Sequence, residues 1–139
     1  MKKSDLIRAH FSQALQRVKE RCTGDFERAL ADDINVSYST VKRWVAGYTA
    51  PHPLLFSTIF QYAVEKYDDD KRIREDSTFF KAVIALYISY NQEYVEKLAD
   101  RFAVNASAVK RWGDGKSMPQ DFARPVVLDY LLYECDGLK

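Results

Sequence analysis

Apolar positions recur along this chain with a helical period. Ile7, Phe11, Ala14, Leu15, Val18 and Cys22 fall on one stripe, and Phe79, Val83, Leu86 and Tyr90 on another. Three- and four-residue spacing of this kind lays one face of a helix against a core. No alternating run of useful length argues for a strand. Stop and start signals punctuate the stripes. Thr23 and Gly24 end the first helix, Ser37 or Asn105 caps a third, and Gly47 or Gly115 followed by Pro51 or Pro119 ends it. The predicted helices are 4–22, 25–34, 37–46, 53–67, 71–90, 92–102, 105–114 and 120–134, an all-α fold.

The pattern repeats. Sliding the sequence against itself by 68 residues sets LADDINVSYSTVKRWVAGYTAP (30–51) over LADRFAVNASAVKRWGDGKSMP (98–119), with eleven of 22 positions identical and no gap. Unrelated sequences would match at roughly one or two such positions at ordinary residue frequencies. The same offset pairs Phe11 with Phe79, Ala14 with Ala82, Phe26 with Tyr94 and Tyr62 with Tyr130. A repeating unit of this size is a domain rather than a solenoid module, which predicts two tandem domains of about four helices each, 1–67 and 68–139. Between them, Tyr67, Asp68, Asp69 and Asp70 form a junction too short for a flexible tether, so the units are expected to pack together. Asp residues there also favour the start of the next helix.

Within each copy, Leu30, Ile34, Val36, Val41 and Trp44, matched by Leu98, Phe102, Val104, Val109 and Trp112, supply the apolar positions of two helices joined by a short turn. Ala31 and Ala99 are small where the pair must cross closely. Through Leu-Ala-x-x-x-x-Val-Ser/Asn-x-Ser-x-Val-Lys-Arg-Trp followed by Gly and Pro, the chain resembles the lambda-repressor-like, Cro/C1-type helix-turn-helix family. That resemblance implies that the third helix of each unit enters the major groove of double-stranded DNA. Carried over by position, it implies that Tyr38, Ser39, Lys42 and Arg43 face bases in copy one, and Ala106, Ser107, Lys110 and Arg111 in copy two. Ser37 and Asn105 become caps within reach of a phosphate, and Tyr48 and Lys116 occupy the loop that touches the DNA backbone. Arg suits guanine because its planar fork bonds two acceptors at once.

Copy two departs from the pattern. The turn position where the family usually places Gly holds Asn35 in copy one but Ala103 in copy two, where a distorted turn is expected. Gly113 replaces Val45 and weakens its helix by about 1 kcal/mol relative to Ala. Asp114 repels phosphate, so copy one is the better reader.

Composition narrows the partners without naming one. The formal net charge is only +1, from 21 Lys and Arg against 20 Asp and Glu, which argues against nonspecific coating of nucleic acid and makes local patches the source of any DNA affinity. Cys22 and Cys135 have no metal-ligand spacing and read as free thiols. No stretch approaches a membrane span, and the start MKKSDLIRAH lacks the apolar run of a signal peptide. A soluble cytoplasmic, nucleoid-associated protein is expected. His10 and His52 lack acidic or cysteine companions, and no nucleophile, phosphate loop or carboxylate pair is placed, so neither cofactor, metal nor enzyme activity is expected. Trp44 and Trp112 read as core anchors, and Tyr87, Tyr90, Tyr94, Tyr130 and Tyr133 as half-buried core with polar tips. The reading is a sequence-specific DNA-binding transcriptional regulator, most simply a repressor, with a homodimer or a contact to RNA polymerase as further partners. The alternative is a protein-interaction module of the same fold that binds RNA polymerase or another regulator.

Overall fold

The structure, a computed structural model, describes residues 2–68 and 72–135. Among them there is no strand; the fold is all-α. Asp69 and Asp70, assigned to the junction, lie outside the described residues. Helices α1 (Lys3–Arg21), α2 (Phe26–Ile34), α3 (Tyr38–Ala46) and α4 (Phe56–Lys66) make the first half, and α5 (Ser77–Tyr90), α6 (Glu93–Phe102), α7 (Ala106–Asp114) and α8 (Arg124–Asp129) the second.

Three boundaries differ from the sequence expectation, each for a local reason. The helix expected from 71 is preceded by a 3-10 turn at Ile73–Glu75, and α5 starts only after Asp76, whose carboxylate accepts the Phe79 N–H at 2.9 Å. The helix expected from 120 begins at Arg124, because Pro125 lacks an N–H and fits only a first turn. Its last turn, Tyr130–Glu134, is π-helical, with the Cys135 N–H reaching Tyr130 O at 2.7 Å. In the first half, Pro53 opens a 3-10 turn, capped by His52 Nδ1 accepting the Leu54 N–H, before α4 continues.

Helices α1 and α5 lie antiparallel along the centre. At one end Lys3 Nζ stands 5.4 Å from the Tyr90 ring centroid, and at the other Arg17 grips Asp76. Between these ends Phe11, Ala14, Leu15 and Val18 from α1 and Phe79, Ala82, Val83 and Leu86 from α5 are buried at 0–1% exposure, each larger side chain contributing about 1.5–3 kcal/mol by leaving water. Aromatic rings bridge the halves. Phe60 packs on Phe11 at 5.4 Å and edge-on to Phe79 at 5.9 Å, and Phe56 meets Tyr87 at 6.1 Å and Tyr90 at 6.2 Å. The Tyr87 hydroxyl shares a hydrogen bond with Ser57 at 2.9 Å, and burial pushes its pKa well above the ordinary tyrosine range. The buried residues form a single apolar cluster drawn from both halves.

Trp44 and Trp112, 4% and 7% exposed, tie the third helix of each half to this centre. Trp44 stands edge-on to Phe11 at 5.9 Å, and Trp112 meets Phe80 at 6.1 Å. The two ties are not identical. Ser12 Oγ and Gln16 Nε2 both donate to Val45 O, at 2.6 and 2.9 Å, latching the end of α3 onto α1. The second half carries Phe80 and Ile84 at the corresponding positions and packs there through apolar contact alone.

A polar clasp closes one end of the seam. Arg17 Nε and Nη2 donate to Asp76 Oδ2 at 2.8 and 2.5 Å, while Arg21 reaches both Asp68, at 3.4 Å, and Asp76, at 3.9 Å. Asp68 is buried and its second oxygen accepts the Ile73 N–H at 2.8 Å. Burial pushes the Asp76 carboxyl up, but the hydrogen bonds from Arg17 and Phe79 N–H and the charges of Arg17 and Arg21 outweigh it and hold the group below the ordinary carboxylate range. A carboxyl depressed in the folded state contributes stability above its unfolded pKa and loses it as pH falls through the folded one. Asp76→Asn retains a good helix cap and removes the charge, so it is expected to cost about 1–3 kcal/mol near neutral pH. Urea denaturation of both proteins from about pH 7 down to about pH 3 should show this gap closing as the wild-type carboxyl protonates. A gap that persists unchanged in acid would contradict the clasp.

Candidate nucleic-acid interface

The repeated segment folds the same way twice. Helix α2 starts at Asp25, whose carboxylate accepts the Arg28 N–H at 3.2 Å, and ends at Asn35 in the left-handed region with φ 60° and ψ 48°. The Val36 N–H returns to Ala31 O at 3.0 Å, and Ser37 Oγ then accepts the Thr40 N–H at 3.1 Å to begin α3. In the second half, α6 ends at Ala103 with φ 54° and ψ 42°, Val104 N–H returns to Ala99 O at 3.1 Å, and Asn105 Oδ1 accepts the Ala108 N–H at 3.1 Å. The distortion expected from Ala103 is therefore absent. Tertiary packing of Leu98, Val109 and Trp112 holds alanine in the conformation that Asn35 tolerates more easily. Gly47 and Gly115 close α3 and α7 at φ 88° and 73°, and a Cβ at Gly115 would stand 2.9 Å from the Lys81 side chain.

This geometry turns one face of each third helix outward. Val41, Trp44 and Val45 point into the core, while Ser39, Lys42 and Arg43 are exposed and Tyr38 is half-buried. On α7, Val109 and Trp112 are buried, Ser107, Lys110 and Arg111 are exposed, and Ala106 is half-buried. Tyr48, 74% exposed, and Lys116 follow the helix-closing glycines on the surface. Ser37 and Asn105 are exposed, but their side-chain oxygens are engaged in capping. Ser37 Oγ also pairs with Thr40 Oγ1 at 2.7 Å, and Asn105 Oδ1 accepts from Ser107 Oγ at 3.0 Å.

Folding adds a residue that the linear pattern does not announce. Arg28, on α2, lays its guanidinium 4.4 Å from the Tyr38 ring centroid, and Lys42 Nζ stands 5.3 Å from the same ring. Arg43 Nη2 reaches Thr40 Oγ1 at 3.5 Å. The first half thus gathers two cations, Arg28 and Lys42, around one tyrosine, with Arg43 beside Thr40 on the same helix. In the second half the repeat puts Glu96 in place of Arg28 and Ala106 in place of Tyr38, and α7 also carries the exposed Asp114. The pairing of these two replacements across the repeat was the available signal for Arg28.

Arg28 pairs with Asp25 Oδ2 at 3.8 Å, and many cations elsewhere on the molecule are paired as well. Arg17, Lys19, Arg21, Lys66, Arg74 and Arg101 each have an acidic partner. Among the described residues, Lys42, Arg43, Lys110, Arg111 and Lys116 form no ion pair, although all five are exposed. Exposed cations of this kind, on α3, on α7 and in the loop after it, can meet an external anion without first breaking an internal ion pair. No group of three or more His, Cys, Asp or Glu that would hold a metal occurs among the described residues, and none of their helices is long and apolar enough to cross a membrane.

No family model, curated protein or solved structure matches the chain. Ala103 offers a direct check on the turn geometry. Ala103→Gly is expected to raise stability by about 0.5–1 kcal/mol, because the left-handed penalty on alanine exceeds the added chain entropy of glycine, whereas Asn35→Gly should be near neutral. Paired thermal melts measure both; a destabilised Ala103→Gly protein would mean that the turn is not left-handed.

Proposed function

We propose that this protein is a sequence-specific double-stranded DNA-binding regulator of the lambda-repressor-like helix-turn-helix kind, with α3 as its principal reader in the major groove. The observation that carries the reading is the exposed, ion-pair-free Lys-Arg face of α3, set on a buried Trp44 anchor and flanked by the Arg28–Tyr38 pair. A helix fixed on its inner face and cationic on its outer face presents side chains to base edges and phosphates with little entropy left to lose. Lys42 and Arg43 lie mid-helix for base contact, and Arg28 and Tyr48 stand at either end for phosphate. Helix α7 repeats the arrangement with Lys110, Arg111 and Lys116, but Glu96 and Asp114 oppose an approaching phosphate there. The mechanism is steric: occupation of a promoter blocks polymerase, and no catalytic group is required.

A second reading, a protein-interaction module for RNA polymerase or another regulator, draws on the near-neutral charge of +1 and the mixed charges around α7. Salt separates the two, since affinity carried by phosphate neutralisation falls steeply as ionic strength rises.

Selection of bound sequences from random duplex DNA tests the proposal. Enrichment of a defined motif is expected, and Lys42→Ala with Arg43→Ala should weaken binding to it by about 1–3 kcal/mol per base-reading contact while the fold persists. Arg28→Ala should weaken binding to all sequences alike and reduce the salt slope by about one, as loss of a phosphate contact does. No enrichment from the folded wild-type protein would overturn the proposal in favour of the interaction module.

A further inference from the structure

A cleft of about 500 Å³ opens between α1, α5 and α7, sharing Lys110 with the proposed DNA-reading face of α7, and its size is within the range that accommodates a small organic ligand. Its lining combines the apolar Leu6, Ala85 and Ile88 with His10, Lys81 and Lys110. In the first half Val45, largely buried, stands at the repeat position that Gly113 occupies in the second, so a side chain sits where this cleft has room.

Gly113 is not required by the backbone. Its φ is not positive, and an added Cβ would meet Ile88 Cδ1 at 3.5 Å and the Ala85 Cα at 3.7 Å, ordinary contact distances. A glycine within a helix weakens it; what Gly113, in the last turn of α7, supplies is room. Lys81 is half-buried, its stem lies beneath Gly115, and among the described residues it has no acidic partner. Burial and the adjacent Lys81 charge lower the His10 pKa, so its imidazole is neutral near pH 7 and available for hydrogen bonding rather than as a third cation. Asp114 also lines the cleft but is exposed, which leaves two ammonium groups against one carboxylate. A lysine without an acidic partner among apolar side chains suits a guest with an anionic head on an apolar body.

We propose that this cleft binds a small organic anion, a carboxylate with an aromatic or branched aliphatic body, with Lys81 as its principal charge partner and Gly113 as the residue that makes the space. The assignment stands whether or not α3 and α7 read DNA, and DNA is absent from its test. Amide resonances of the full chain are followed while 1-naphthoate, 1-naphthalenemethanol or inorganic phosphate is added. Saturable shifts centred on Ala85, Ile88 and Gly113 are expected with naphthoate. The alcohol and phosphate, which each lack half of the guest, should bind at least about ten-fold more weakly, the factor a lost charge-assisted hydrogen bond or apolar contact brings. Lys81→Met keeps the stem and should weaken naphthoate by a similar factor, and Gly113→Val should abolish saturable binding, with circular dichroism reporting that each variant is folded. Unchanged naphthoate affinity in folded Lys81→Met, shifts scattered away from the cleft or absent, or phosphate binding as tightly as naphthoate would each overturn the proposal. If Gly113→Val does not fold, Lys81→Met decides it.

Discussion

The antiparallel contact between α1 and α5 is the constraint on which the other elements depend. Neither helix could be stable alone as a bare stripe of phenylalanine, leucine and valine, since isolated helices of this length are marginal in water and draw their stability from a buried face. Each supplies the other's missing wall. Phe56 and Phe60 from α4 then close over the seam, and Trp44 and Trp112 seat the third helices on its flanks. Because α3 rests on α1 and α7 on α5, the orientation of both outward faces follows from this one packing. The Arg17–Asp76 clasp makes the register specific, since a slip along the seam would separate a partly buried carboxylate from its guanidinium.

A duplicated chain is free to let its halves diverge, and these halves differ both at the surface of the third helix and in the side chains packed behind it. The first half places Arg28, Tyr38 and the Ser12–Gln16 latch around α3, a rigid and cationic arrangement. The second substitutes Glu96, Ala106, Phe80 and Gly113, which thins the positive surface and opens a cleft behind α7. Under the proposed function, the first half carries the main DNA contact and the second supplies a weaker contact together with a ligand site.

Much of the fold was legible in the sequence because its signals are local. Helical stripes, Ser37 and Asn105 as caps and Gly47 and Gly115 as terminators all act within a turn or two, and each is found in its expected place. The turn at Ala103 was misread because residue preference alone disfavours a left-handed alanine, whereas the buried residues on both sides of the turn impose it. The boundaries at Asp76 and Arg124 were missed where a capping carboxylate or a proline overrides continuous hydrophobicity. For the candidate site, the exposed faces of α3 and α7 follow from periodicity, so Lys42, Arg43, Lys110 and Arg111 were accessible to sequence reasoning. Arg28 shows in the sequence only through the paired replacements by Glu96 and Ala106, because it joins Tyr38 across the turn, and the cleft at Lys81 does not show there, because it needs three helices from both halves.

The central claim is that the α1–α5 seam makes the two halves one cooperative body, and the chain carries its own reporters for this in Trp44 and Trp112, its two tryptophans, one in each half. Trp44→Phe leaves fluorescence that reports on the second half, and Trp112→Phe leaves fluorescence that reports on the first. Urea unfolding of each variant, followed by tryptophan fluorescence and by far-ultraviolet circular dichroism, should give coincident transitions for the two signals in both proteins. Fluorescence that departs from the circular dichroism curve in either variant, so that one half melts while the other stays folded, would contradict it.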